Sequence, residues 1–161
     1  MPNWLQKIAS VILFHGTSKK FDSFNLDFAG QRDWGDYGFG VYLSKRRSLA
    51  EEYAFEAVRK DKGIPVVYKV LANIHNTAYF GDKEFERQVS KDIDAPFPKT
   101  LYPGEPQTRP RNESQGISAY LQSLGYDSAT NASGWEIVVF DPNKLKIVGE
   151  STPEDDVYGQ L

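Results

Sequence analysis

The 161-residue chain has no cysteine, one methionine and two histidines. The first absence removes disulfides, thiolate nucleophiles and cysteine-bearing zinc sites together, and it fits a reducing compartment. Only His15 and His75 could bring imidazole to a metal, and neither a His-Glu-x-x-His spacing nor a calcium-loop pattern accompanies them, so no metal is expected. No apolar run approaches the roughly 18 residues that a membrane-spanning helix requires, so no membrane partner is expected. The start, Met-Pro-Asn-Trp with Gln6 and Lys7 close behind, lacks the basic head, apolar stretch and cleavage site of an export signal. An intracellular, cytoplasmic protein is the expectation. Basic excess is lacking too. There are 19 Lys and Arg against 22 Asp and Glu, and residues 149–161 hold Glu150, Glu154, Asp155 and Asp156 without a single base. A near-neutral body with an acidic end is a poor match to a duplex-binding surface, where Lys and Arg must neutralise phosphates.

Two common catalytic signatures are also missing. The Gly-x-Ser-x-Gly elbow of serine hydrolases is not found, nor is a Walker phosphate loop. Gly35-Asp-Tyr-Gly38-Phe-Gly40 is glycine-rich but leads into a strand, so it lacks the helix N-terminus that binds phosphate in dinucleotide folds.

What the chain does have is a globular composition, 40% hydrophobic and 25% charged, in a length that suits one domain. The expected organisation is a single domain over 1–150 and an acidic tail over 151–161. Val11-Ile12-Leu13-Phe14 reads as a buried strand ending at His15-Gly16-Thr17. Residues 18–40 read as a long ordered loop, and Val41-Tyr42-Leu43-Ser44 as a short strand. Ser48-Leu49-Ala50-Glu51 has capping-box form, which predicts a helix from Leu49 to about Lys60 with Leu49, Tyr53, Ala54 and Ala57 on one face. A strand over 64–74, a short helix over Lys83–Val89, and a helix with Ile117, Tyr120, Leu121 and Leu124 on one face follow. Three strands are predicted near the end, over 126–130, 135–140 and 145–148. Five of the nine prolines fall in 93–113, which predicts an irregular excursion there. Strands outnumber helices without alternating strictly with them. That pattern gives an α+β class, with a bent or split β core and peripheral helices.

Two residues stand out chemically. His15 closes the first strand, where a histidine is ordinarily a structural hydrogen-bonder. Glu136 opens the apolar strand Ile137-Val138-Val139-Phe140. It reads either as an exposed strand-end charge or, facing inward, as a functional carboxylate.

Taken in order, three segments resemble the ADP-ribosyltransferases, in their His-Tyr-Glu branch shared by diphtheria toxin and the poly(ADP-ribose) polymerases. Phe14-His15-Gly16-Thr17 is similar to that branch's first strand. Gly38-Phe-Gly40-Val-Tyr42-Leu-Ser44 is similar to its Gly-x-Gly-x-Tyr-Phe strand, and Trp135-Glu136-Ile-Val-Val-Phe to the strand that begins with its acid. Tyr53 lies eleven residues after Tyr42, where the family often has a second aromatic. The resemblance spans about residues 11–148 and implies a split-sheet transferase fold of small bacterial or phage type. It implies NAD as co-substrate, with release of nicotinamide. Glu136 would stabilise the oxocarbenium-like transition state, and Tyr42 and Tyr53 would sandwich the nicotinamide. The Gly16 backbone would meet the carboxamide, and His15 would bind the adenosine ribose. By the same resemblance the catalytic set is Glu136, His15 and Tyr42, and the NAD-binding set is His15, Gly16, Thr17, Tyr42, Ser44 and Tyr53. Lys45, Arg46 and Arg47 are either pyrophosphate-attracting or a solvated charge run.

Departures narrow the reading. Position 50 is Ala where many relatives have a carboxamide-binding Ser, leaving Ser48 or Ser44 as replacements. Position 134 is Gly, so the Glu-x-Glu of arginine-modifying members is missing. Mono-ADP-ribosylation by a monomer is the expectation, on a protein acceptor ahead of a nucleic-acid one. The loop over 20–38 would cover NAD and the 93–113 segment would face the acceptor. The alternatives are an NAD glycohydrolase, a weakly catalytic NAD- or ADP-ribose-binding module on the same fold and, ranked low, transfer of an RNA 2′-phosphate to NAD.

Overall fold

The computed structural model describes residues 10–28, 37–94 and 111–153. Among the described residues seven strands are present: β1 (Ser10–Thr17), β2 (Val41–Ser44), β3 (Val66–Asn73), β4 (Thr77–Tyr79), β5 (Ser128–Thr130), β6 (Glu136–Val139) and β7 (Leu145–Ser151). Three α-helices accompany them: α1 (Arg47–Asp61), α2 (Lys83–Ile93) and α3 (Arg111–Ser123). The strands form one sheet in the order β4-β5-β6-β2-β1-β3-β7, antiparallel except for β4 with β5. The α+β class with its divided sheet is what the sequence implies.

The division has a definite place. β1 runs beside β3 over eight register pairs, and β2 beside β6 over four, but β1 and β2 share only Phe14 opposite Ser44. The sheet is therefore two ribbons, β4-β5-β6-β2 and β1-β3-β7, joined at one rung. Side chains alternate across a strand, so register fixes which residues share a face. Leu13, Val41, Leu43, Tyr68, Val70, Ile137 and Val139 form a continuous core on one face, spanning both ribbons. The opposite face carries the helices and is divided. Under α2 and α3 lie Phe80, Val89, Ile117, Leu121, Ala129, Val138 and Phe140. Under α1 lie Ala50, Ala54 and Val67, with Phe14 packed against them.

Several local expectations change. The capping box at Ser48 and Glu51 does not form: α1 starts at Arg47, its N-cap Arg46 has no side-chain cap bond, and Glu51 instead accepts from Arg47 Nε at 2.9 Å. Ser48 lies inside the first turn, past the position where its hydroxyl could cap. The buried stripe of α1 is Ala50, Ala54 and Ala57, while Tyr53 is 41% exposed. β1 is not uniformly buried, since Val11 and Ile12 are 39% and 42% exposed at its first half, away from α1. β4 was not expected at all. β7 continues through Glu150, which pairs with Lys20 at 2.7 Å, so the expected tail boundary falls at the end of a strand. α2 is capped by Asp82, whose carboxylate accepts from Glu84 N and Phe85 N, and it runs to Ile93. α3 begins at Arg111, so both ends of the proline-rich excursion are helical. Its middle, residues 95–110, lies outside the described residues, as do 29–36 of the loop expected over NAD and 154–161 of the acidic end.

Candidate active site

Glu136 is the first residue of β6, opposite Ser44 of β2. The turn before it is built by side chains: Asn131 Oδ1 accepts from Ser133 Oγ at 2.8 Å and from Gly134 N at 3.1 Å, and Trp135 N donates to Ser133 Oγ at 3.3 Å. Gly134 takes φ of 73°, a left-handed angle that suits glycine. Lys45 N donates to the Trp135 carbonyl at 2.9 Å, and Thr130 Oγ1 to the Glu136 carbonyl at 2.7 Å. The backbone of Glu136 is thus held from both sides. The residue is half-buried, and its carboxylate accepts from the Tyr53 hydroxyl at 2.6 Å, the length of a charge-assisted bond.

These two residues belong to a cleft of about 280 Å³ lined by Arg46, Ser48, Leu49, Glu52, Tyr53, Asn131, Ser133, Trp135 and Glu136. The Arg46 guanidinium lies over the Trp135 ring, 3.4 Å from its centroid, a cation–π contact at the rim. Arg46 is therefore more than a solvated charge. Trp135 was read only as a neighbour of Glu136, yet it forms a wall. The signal for the remaining wall was Asn131-Ala-Ser-Gly134, a run of turn-forming residues just before the strand.

The other expected site residues stand elsewhere. Phe14, Ser44 and Glu136 share a face by register, so His15, one residue on from Phe14, faces the opposite side of β1. There it packs edge-on to Phe24, with centroids 5.1 Å apart, and near Phe21 at 6.0 Å. Its Nδ1 lies 2.8 Å from the Tyr42 carbonyl. A carbonyl can only accept, so Nδ1 carries the proton and Nε2 is the acceptor of the neutral ring. Burial pushes the His15 pKa below its usual value of 6.5, against the opposing pull of the Tyr42 carbonyl. Neutral His15 thereby ties β1 to β2 beside their single backbone rung. Tyr42 does not line the cleft: its ring packs beside the α2–α3 core, and its hydroxyl donates to Gly38 O at 2.7 Å and accepts from Tyr37 N at 3.3 Å. Ser44 is buried, and its Oγ accepts from Arg46 N at 2.9 Å. Thr17 Oγ1 makes a local turn with Lys19. Gly16 is needed for packing. A Cβ there would stand 1.8 Å from the Ala50 carbonyl oxygen of α1. Of the two serines considered as replacements at position 50, Ser48 lines the cleft and Ser44 does not.

Residues 9–155 match the model of a family described as ADP-ribosyltransferase in polyvalent proteins. The chain belongs to that family. No curated protein matches it in sequence. In structure it is similar to a chain of the Mycobacterium tuberculosis MbcT–MbcA toxin–antitoxin complex, with a TM-score of 0.55 at 12% identity over 94% of this chain and 88% of that one. An anti-CRISPR protein matches with a TM-score of 0.43 at 18% identity, over 86% of this chain and 96% of that one. NAD is the family's substrate. Among the described residues no cluster of three or more His, Asp or Glu side chains could hold a metal, and no helix is long and apolar enough to cross a membrane.

Proposed function

We propose that this chain is a mono-ADP-ribosyltransferase of the His-Tyr-Glu kind, moving ADP-ribose from NAD to a macromolecular acceptor, with Glu136 as its catalytic carboxylate. One observation carries the reading: the Glu136 carboxylate is held by a phenol at 2.6 Å on the wall of a cleft of about 280 Å³. Breaking the bond between nicotinamide and ribose builds positive charge on the ribose ring. A carboxylate fixed before the reaction stabilises that charge without reorganising, an effect typically worth about 10²–10³ in rate. The exposed Tyr53 ring offers a flat face to nicotinamide. Arg46 on Trp135 places positive charge at the rim, suited to the phosphates beyond the ribose. Of the other expected residues, His15 and Ser44 hold the seam between β1 and β2, on which the cleft wall stands, and neither is assigned a contact with the nicotinamide-ribose end of NAD. The acceptor is proposed to be a protein, reached in the cytoplasm by a monomeric, toxin-like effector; the structural likeness to a toxin–antitoxin complex fits that role.

The test is incubation with labelled NAD and a cell lysate, beside Glu136→Gln. Label on protein, lost by about 10²–10³ in the variant while NAD affinity holds, is the expected result. Free ADP-ribose with no labelled macromolecule would replace transfer by hydrolysis. No turnover by the wild-type chain would overturn the reading.

A further inference from the structure

We infer that the hydroxyl of Tyr53, separately from its ring, is a positioning group for the Glu136 carboxylate, fixing across the sheet seam where that carboxylate stands. The inference rests on the proposed function and deepens it. Glu136 has a well-anchored backbone, through Ser44 opposite it and Thr130 Oγ1 on its carbonyl. Those contacts end at the main chain, and a glutamate side chain beyond them has three rotatable bonds. The Tyr53 bond is made to the carboxylate itself, at Oε2.

Tyr53 can set a position because its own is set. It stands on α1 between Ala50 and Ala54, which are 1% and 0% exposed. Beneath them, Gly16 admits the helix backbone closer than any Cβ would permit. The helix is therefore seated on β1 by backbone contact, without long side chains to give slack. β1 belongs to one ribbon and Glu136 to the other, so the phenol–carboxylate bond is a cross-link between ribbons that share one backbone rung. Tyr53 itself is 41% exposed, so its loss should cost little stability. The chemistry asks for such a bond, since a carboxylate displaced by about 1 Å from a reacting centre can lose on the order of 10² in rate.

Tyr53→Phe keeps the ring and removes only the hydroxyl. Expected are a fall in kcat for NAD of about tenfold, matching the loss of a hydrogen bond to a charged group, a KM for NAD within about twofold, and an unchanged Tm. In the Glu136→Gln background the same substitution should produce no further loss, because the hydroxyl acts through the carboxylate. Wild-type kcat in Tyr53→Phe, or an equal tenfold loss in both backgrounds, would overturn the inference. Should the wild-type chain turn over no NAD, the proposed function fails, and the bond is judged separately. The ring-carbon NMR signal of Tyr53, assigned by its disappearance in Tyr53→Phe, is expected to move in Glu136→Gln and to stay in place in Glu52→Gln, which alters the same cleft. A signal indifferent to Glu136→Gln would refute the tether.

Discussion

On the helical face of the sheet, the core under α2 and α3 is built from large side chains, Phe80, Ile117, Leu121 and Phe140 among them, whereas the core under α1 is built from Ala50, Ala54 and Val67. The first is a thick layer in which helices stand off the strands at the distance of interlocking side chains. The second is thin, with α1 pressed on Gly16. The difference separates two tasks. A thick apolar layer supplies burial, at roughly 25 cal/mol per Å² removed from water. A thin one supplies little burial but fixes the height of a helix over a strand, and it is the thin side that presents Tyr53 to Glu136.

Substitutions in the two layers should therefore differ in kind. Leu121→Ala, at a fully buried position of the thick layer, is expected to cost about 2–5 kcal/mol. NAD turnover per folded molecule should hold; denaturant unfolding and kcat measured on the same preparation check this. Gly16→Ala should cost about 1–3 kcal/mol by overpacking and also depress kcat, because Tyr53 rides on the helix it displaces. A Gly16→Ala protein with normal kcat would erase the distinction between the layers. The seam makes a third, smaller contribution. His15 is held neutral by burial, so its folded pKa lies below 6.5. As pH falls below that value the unfolded chain takes up a proton that the folded chain resists, and stability is lost progressively down to the folded pKa. His15→Gln should flatten this part of the pH–stability curve, measured by Tm from pH 7 downward. The smallest effect is expected at the junction of α2 and α3, where the Tyr120 hydroxyl donates to the Asp92 carboxylate and Gln88 Nε2 donates to it at 2.9 Å. The Tyr120 bond holds the Asp92 pKa below its usual value and raises that of Tyr120. Tyr120→Phe should move the Asp92 titration upward, seen by NMR, with turnover unchanged.

Most strands and all three helices were legible in the sequence because period and punctuation marked them: Val41–Ser44 lies between glycines and a charge run, and Ile117 and Leu121 share a helical face. β4 was not legible, since three residues of mixed character gain their ladder only from β5, some fifty positions away. Which side of α1 is buried was not legible for a related reason. Leu49 and Tyr53 are its more hydrophobic candidates, but a helix resting on Gly16 must turn its smallest residues inward. For the site, Glu136 and Tyr53 were named from the sequence and meet in one cleft, while Trp135 and Arg46 were not named as its walls. Their contact crosses from β6 to the start of α1, and no local pattern encodes it. The face of His15 follows from register with β2, which the residues of β1 alone do not specify.

The single rung between β1 and β2 has a mechanical consequence. A sheet sewn along its whole length resists folding about that line, because every ladder bond must stretch together. Among the described residues one backbone pair, the His15 imidazole and the Tyr53–Glu136 bond straddle the crease, while the apolar layer behind, from Leu13 to Val139, acts as the spine of a book. Small changes in the angle between the two leaves are therefore inexpensive, and they translate directly into the gap between the helix-borne phenol and the strand-borne acid.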